Sequence, residues 1–300
     1  MTHETLTFTV NGDQHEHKLT GRVLWISGPN GSGKSTFCAA LSLATTGTAH
    51  DYLWRDAVKA DRLVKQGGIT AYGSTLPRGR DVFREVLAAL VDAEKFVDFV
   101  RGLTQKSDAF NAAAEIADRY AAEAKGYAKD EDVLRRYGAL DALRVAATKR
   151  AHAEQVAAAA KTAKAQALLP LQAAARVDAE AALQTVERMG FFRPGSLVLD
   201  HEEGIQLCGN NCLSDTQRRI LAIGLTVALD VRGTAPIIPP DIDWDAPTMQ
   251  AVTRAYLCAV DVNPSLPLLV IQSTSTPPGR VPAGVQRIKL VPAPQRQAVT

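Results

Sequence analysis

Gly28-Pro29-Asn30-Gly31-Ser32-Gly33-Lys34-Ser35 fills every fixed position of the pattern G-x-x-x-x-G-K-[ST]. Upstream, Val23-Leu24-Trp25-Ile26 reads as a short buried strand. Downstream, Thr36-Phe37-Cys38-Ala39-Ala40-Leu41-Ser42-Leu43 reads as a helix. Strand, glycine loop and helix in that order form a cradle for nucleotide phosphates, because glycines let backbone N–H groups approach phosphate oxygens. On this reading Gly28 to Thr36 hold the phosphates. Lys34 supplies positive charge near the β- and γ-phosphates, and the Ser35 hydroxyl is a ligand for Mg²⁺.

Outward from the loop, the composition changes twice. Residues 1–80 mix strands and glycines: Thr5–Val10 alternates as a strand, Asn11-Gly12-Asp13 is a turn, and Ile69–Tyr72 is a further strand candidate. Residues 81–189 are rich in alanine and charge and nearly free of glycine and proline, which predicts several helices, at least two of them long and antiparallel. Gly126 and Lys129-Asp130-Glu131-Asp132 are read as one break in this region and Pro170 as the start of a new helix. Residues 190–300 return to strands and helices. Strands are expected at Ser196–Asp200, Ile205–Cys208, Pro236–Ile238, Leu266–Ile271 and Val285–Leu290, with helices from about Asp215 to Val231 and Pro247 to Val260. The expected fold class is α/β, with two sequence-distant halves of one nucleotide-binding fold split by an α-helical, coiled-coil-like insertion.

A second motif lies at Asn211-Cys212-Leu213-Ser214-Asp215-Thr216-Gln217, ahead of the apolar helix Ile220–Leu229, with Ser214 placed to cap that helix. The glycine loop, a helical insertion and then Leu213-Ser214 before a helix resemble the ABC-type ATPases of chromosome maintenance and repair, which include the SMC, RecF, RecN and SbcC proteins. The resemblance covers roughly residues 5–75 and 195–290. It implies a P-loop NTPase head of ABC type, ATP and Mg²⁺ as cofactors, and a dimer that sandwiches nucleotide. Ser214 of one copy would then contact the γ-phosphate bound by the other. It implies DNA, a nuclease or a replication protein as partners, and a cytoplasmic setting. Arg55 maps onto an arginine that couples DNA to hydrolysis in the family; an ordinary surface arginine is the alternative.

The resemblance also marks departures. Four apolar residues followed by Asp-Glu are expected, but Pro236-Ile237-Ile238-Pro239-Pro240 leads into Asp241-Ile242-Asp243-Trp244-Asp245. Asp241 takes the metal-side role, because a carboxylate at a strand end reaches the Mg²⁺ shell. Ile242, in the usual position of the water-activating glutamate, cannot accept a proton. Asp243 is the candidate base; Asp245 is an alternative base or a dimer contact. The signature glycines are replaced by Asp215 and Thr216, and Gln272-Ser273-Thr274 stands where a switch histidine is expected, able only to hydrogen-bond the γ-phosphate. These changes imply slow hydrolysis, or ATP used mainly as a clamp. A non-hydrolysing ATP-dependent DNA-binding or assembly module is the first alternative, the nucleotide-binding subunit of a transporter the second, and a small-molecule kinase the third.

Composition narrows the field. The formal net charge of +2 leaves no global basic field to draw in nucleic acid. Four cysteines make no disulfide framework and fit a reduced compartment. The N-terminus lacks a signal-peptide pattern, and no apolar run is long enough to span a bilayer. Cys208 and Cys212 lack the further ligands zinc needs, His201 notwithstanding. His15 and His17 read as a solvated strand edge. The basic groups Arg78, Arg80, Arg84, Arg135-Arg136 and Lys149-Arg150 read as solvated faces.

Overall fold

The apolar run Val23–Ser27 is buried along its whole length and forms β3, the centre of a three-stranded parallel sheet. The computed structural model describes residues 4–10, 13–48, 69–72, 78–104, 107–200, 204–208, 211–239, 244–273 and 281–290. On one side of β3 lies β8 (Leu269–Ser273), on the other β9 (Val285–Lys289), so strands from the far end of the chain flank the strand before the loop. The Pro236–Ile238 segment is not a full strand. Ile237 alone bridges Leu269 in parallel, its N–H donating to the Leu268 carbonyl at 2.7 Å. The flanking prolines have no N–H with which to continue the ladder.

Helix α1 (Lys34–Thr46) lies on one face of this sheet. Phe37, Cys38 and Leu41 pack with Leu24, Ile26, Val270 and Ile288 in one apolar cluster. Gly47, at φ 79°, ends the helix and returns its N–H to Leu43 O at 3.0 Å. The same cluster takes Leu6, Phe8 and Leu19 from the hairpin of β1 (Glu4–Val10) and β2 (Asp13–Leu19). β4 (Ile69–Tyr72) pairs with the other edge of β1. His17 is therefore not a solvated strand edge: it is half-buried, stacks on Phe8 at 5.9 Å and meets Phe37 edge-on at 5.0 Å. Gln286 ties β9 to this hairpin, donating to Lys18 O at 2.8 Å and accepting from Thr20 N at 2.7 Å.

The chain divides into two compact units, Met1–Phe96 with Glu180–Thr300, and Val97–Ala179. In the first, α2 (Val82–Ala89) packs against α6 (Asp215–Ala228), and α7 (Ala246–Val262) supplies Thr253, whose hydroxyl accepts from Trp25 Nε1 at 3.0 Å. β5 (Leu197–Asp200), β6 (Gly204–Leu207) and β7 (Asn211–Cys212) form a separate antiparallel sheet. Buried Glu187 accepts from the N–H groups of Gly195 and Leu197 at 2.9 and 2.7 Å, fixing the entry to β5.

The second unit is helical. It holds the end of α3 (Ala93–Thr104), all of α4 (Asp108–Arg136) and most of α5 (Leu140–Arg188). Two sequence expectations are corrected here. α4 runs through Gly126 and Lys129–Asp132 without a break, and α5 runs through Pro170 as one helix of 49 residues, about 74 Å long. The chain turns instead at Gly138 (φ 67°). The N–H of Gly138 bonds Arg135 O at 3.3 Å and that of Ala139 bonds Leu134 O at 3.2 Å, a Schellman stop that only a left-handed residue completes. The paired helices bury small residues at every seventh position, Ala117 and Ala124 on α4 and Ala146, Ala153 and Ala160 on α5. Glu131 takes the next seam position. Its carboxylate is 3 % exposed and accepts from Arg150 Nη1 at 3.1 Å, with Arg135 Nη2 at 3.6 Å. Arg150 thus pairs across the hairpin with Glu131, while Arg135, 61 % exposed, pairs with it along its own helix.

Candidate functional site

Ser27 stands level with Ser273 on one side and Lys289 on the other, so the three parallel strands finish at one edge of the sheet. Gly28 leaves from that edge. Open parallel sheets take their ligands there, where the loops leave the carboxyl ends of the strands. A side chain on Gly28 would meet the Ser32 side chain and stand 2.6 Å from the carbonyl oxygen of Leu290, so only glycine lets the loop lie against the end of β9. Ser32 N donates to Pro29 O at 3.1 Å and closes the turn. Gly31 (φ 80°) and Gly33 (φ 88°) take left-handed conformations, and a Cβ on either would meet nothing within 4 Å.

Helix α1 starts without a side-chain cap, since Gly33 occupies the N-cap position, and its first turn holds no acid. The first bond of the helix runs from Phe37 N to Gly33 O at 2.9 Å. The N–H groups of Lys34, Ser35 and Thr36 precede it and have no acceptor within the helix. These donors and the positive end of the helix dipole face the loop. Lys34 is buried at 6 % exposure and donates from Nζ to Gly28 O at 2.7 Å and Pro29 O at 3.2 Å. Ser32 Oγ is buried with no hydrogen-bond partner among the described residues. A ring of N–H donors, an ammonium and an orphaned hydroxyl is the donor set of an anion site; its chemistry fits phosphate. Ser35 is half-buried on the first turn. Among the described residues no group of three or more His, Cys, Asp or Glu is placed to hold a metal ion.

The other sequence candidates fall in three places. Asp241, Ile242, Asp243 and Arg55 lie outside the described residues. Asp245 is the N-cap of α7: its Oδ1 accepts from Thr248 N at 2.8 Å, and hydrogen bonds from the Thr248 hydroxyl and N–H hold its carboxyl below the usual value. The cap engages Oδ1 and the lowered value makes this carboxylate a weaker base. Ser214 caps α6 in a reciprocal box, its Oγ accepting from Gln217 N at 3.3 Å while its own N–H donates to Gln217 Oε1 at 2.8 Å. Among the described residues no hydrogen bond joins Ser214 to residues 28–36. Gln272 and Ser273, at the carboxyl end of β8, are both buried. The strand assignment of Gln272 was missed from sequence, because the apolar run that signals β8 stops at Ile271.

A cavity of about 1070 Å³ opens at the opposite edge of the sheet, between Thr20–Arg22, Pro264–Leu268 and the C-terminal ends of α6 and α7, and no residue of the glycine loop lines it.

No family model matches the chain. No curated protein matches it. Among solved structures it is similar to the crystal structure of the Smc head domain with an extended coiled coil bound to the C-terminal domain of ScpA, from Pyrococcus furiosus. That similarity has 10 % identity and a TM-score of 0.45, and covers 91 % of this chain and 89 % of that chain. Among the described residues no helix is long and apolar enough to cross a membrane.

Proposed function

We propose that this chain binds Mg-ATP at Gly28–Ser35 and hydrolyses it slowly, as a compact SMC/RecF-like ATPase whose two copies close around the nucleotide. The observation that carries the reading is the uncapped start of α1. Two left-handed glycines, the first-turn N–H groups, the Lys34 ammonium and the Ser32 hydroxyl, which has no hydrogen-bond partner among the described residues, converge there. The polyphosphate would take the N–H donors of residues 31 and 33–36, and Lys34 would exchange the Gly28 and Pro29 carbonyls for phosphate oxygens. Charge that develops on the transferring phosphoryl group is then met by fixed donors that need no rearrangement.

Ser35 and Asp241 are the residues that would hold Mg²⁺, which when bound draws charge from the β- and γ-phosphates. Asp243 is the proposed base, and Ser214 of a second copy the proposed γ-phosphate contact. Work on DNA in repair, recombination or replication rests on the resemblance of the motifs alone.

A non-hydrolysing ATP clamp is the second reading, favoured by Ile242 in the usual place of the base and by the commitment of Asp245 to its cap. Phosphate release by wild type, Asp243→Asn and Lys34→Ala separates the two: turnover lost in both variants supports the ATPase, and equal background in all three supports the clamp. Light scattering with and without Mg-ATP tests the dimer. A nucleotide-induced dimer that Ser214→Arg abolishes supports it, and a monomer under both conditions removes it.

A further inference from the structure

We propose that Gln272 positions the attacking water in the ATP hydrolysis assigned above to the glycine loop, an inference that rests on that reading. Gln272 pairs with Ile26 in the parallel ladder, and Ile26 pairs with Ile288. Ile26, Ile288 and Val270 all belong to the cluster packed under Phe37 and Leu41 of α1. Side chains level with one another on parallel strands share a face, and positions two apart on one strand share it too. Gln272 therefore completes the row on the α1 side, one residue from the end of β8, where Gly28 and the first turn of α1 begin. It is 3 % exposed, yet its Oε1 has no hydrogen-bond partner among the described residues.

A buried amide oxygen without a donor is costly, and buried polar atoms are nearly always paired. The deficit identifies the missing partner by its chemistry. Oε1 accepts and cannot donate, so phosphate oxygens cannot satisfy it. The Lys34 ammonium points at Gly28 and Pro29. The Ser32 hydroxyl, the other buried group without a partner among the described residues, is given to the phosphates in the reading above, so the donor left for Oε1 is water. Held through one hydrogen by Oε1, the water oxygen forms a bond to the γ-phosphorus as the bond from that phosphorus to the β–γ bridging oxygen breaks. The electron pair leaves with ADP, and the water proton passes to a γ-phosphate oxygen. An amide takes no proton, so Gln272 orients the nucleophile without activating it, which fits slow turnover in a chain with Ile242 in the usual place of the base.

The test measures fluorescent-ATP affinity, single-turnover phosphate release and melting temperature for wild type, Lys34→Ala, Gln272→Leu and Gln272→Glu. Expected for Gln272→Leu are unchanged affinity, a melting temperature equal to or above wild type because the orphaned oxygen is gone, and a chemical step slower by about 100-fold. Gln272→Glu should recover part of the rate, rising with pH as the new carboxylate ionises. Unchanged turnover in Gln272→Leu overturns the proposal, as does a rate loss matched by a lower melting temperature and weaker binding. Wild type that binds fluorescent ATP, with binding lost in Lys34→Ala, but never turns it over overturns Gln272 and leaves the phosphate cradle standing. Wild type that binds none removes both.

Discussion

Lys34 donates from Nζ to the carbonyl oxygen of Gly28 at 2.7 Å, so the ammonium six residues along closes the loop on its own first residue. The bond keeps a buried charge satisfied within the loop, and it must be exchanged when an anion enters.

Lys34→Met keeps the aliphatic bulk but strips two carbonyls of a charged donor. Apo stability should fall by about 1 kcal/mol, while the affinity for fluorescent ATP drops by about 2 kcal/mol or more, roughly 30-fold. Denaturant titration and a fluorescence titration of one preparation give both numbers. Equal affinity in wild type and variant would remove Lys34 from the site.

Gly28 and Gly31 are glycines for different reasons. Gly28→Ala drives a methyl toward the Leu290 carbonyl, a backbone atom that cannot swing away, at an expected cost of about 2–3 kcal/mol. Gly31→Ala meets no atom within 4 Å and costs only the left-handed conformation, about 1–2 kcal/mol. Amide exchange reads the difference directly. The Leu290 N–H, bonded to Ser27 O at 2.8 Å, should lose protection in the first variant and keep it in the second.

Burial among Phe8 and Phe37, and next the charge of His15, push the His17 imidazole below its ordinary value of 6.5. The unfolded chain then takes up the proton first as pH falls, so stability is full above about pH 6.5 and declines below it towards the folded value. His17→Phe keeps the ring contacts without the proton. Between about pH 7 and 5 its melting temperature should fall less than that of wild type. Parallel pH curves would show that His17 binds its proton equally well folded and unfolded, which contradicts the lowered value.

The seam pair Glu131–Arg150 should respond asymmetrically. Arg150→Ala leaves a carboxylate at 3 % exposure with only Arg135 at 3.6 Å, and an uncompensated buried charge costs about 3 kcal/mol. Glu131→Ala extends the alanine seam and leaves an arginine whose side chain is 37 % exposed and keeps Glu154 at 3.5 Å, so the loss should stay below about 1.5 kcal/mol. A double-mutant cycle followed by helical circular dichroism measures both, and equal losses would contradict the burial difference.

Pro170 lies exposed in the middle of α5. Without its N–H the carbonyl of Gln166 lacks its helical partner. Pro170→Ala should stabilise the helix by about 1–3 kcal/mol. An unchanged or lower melting temperature would mean that the helix has adapted to the ring at no cost.

Much of the candidate site was legible because it is local. The strand Val23–Ser27, the loop and α1 are one continuous stretch, and the glycines sit where left-handed backbone or close approach demands them. The helical region was legible as helix and illegible as to where it bends. Gly126 and Pro170 each carry a local penalty, but seam burial around Ala117, Ala124 and Ala153 exceeds it, and the chain stops only where Gly138 completes a Schellman turn. Asp245 looked like chemistry because acids cluster around it, yet its carboxylate answers Thr248 N. His17 looked solvated because its neighbours in sequence are polar, while its neighbours in space are Phe8 and Phe37.

By itself the sequence determined the strand, glycine loop and helix around Gly28–Ser35, the mixed α/β character and the helical insertion, because spacing, glycine placement and helix propensity act over a few residues. Only the tertiary structure decided that β8 and β9, from the far end of the chain, flank β3, and that Gln272 lies buried level with Ile26, its Oε1 without a hydrogen-bond partner among the described residues. Strand pairing across more than 240 residues leaves no mark on local composition. An amide becomes an orphan only when the groups around it are known.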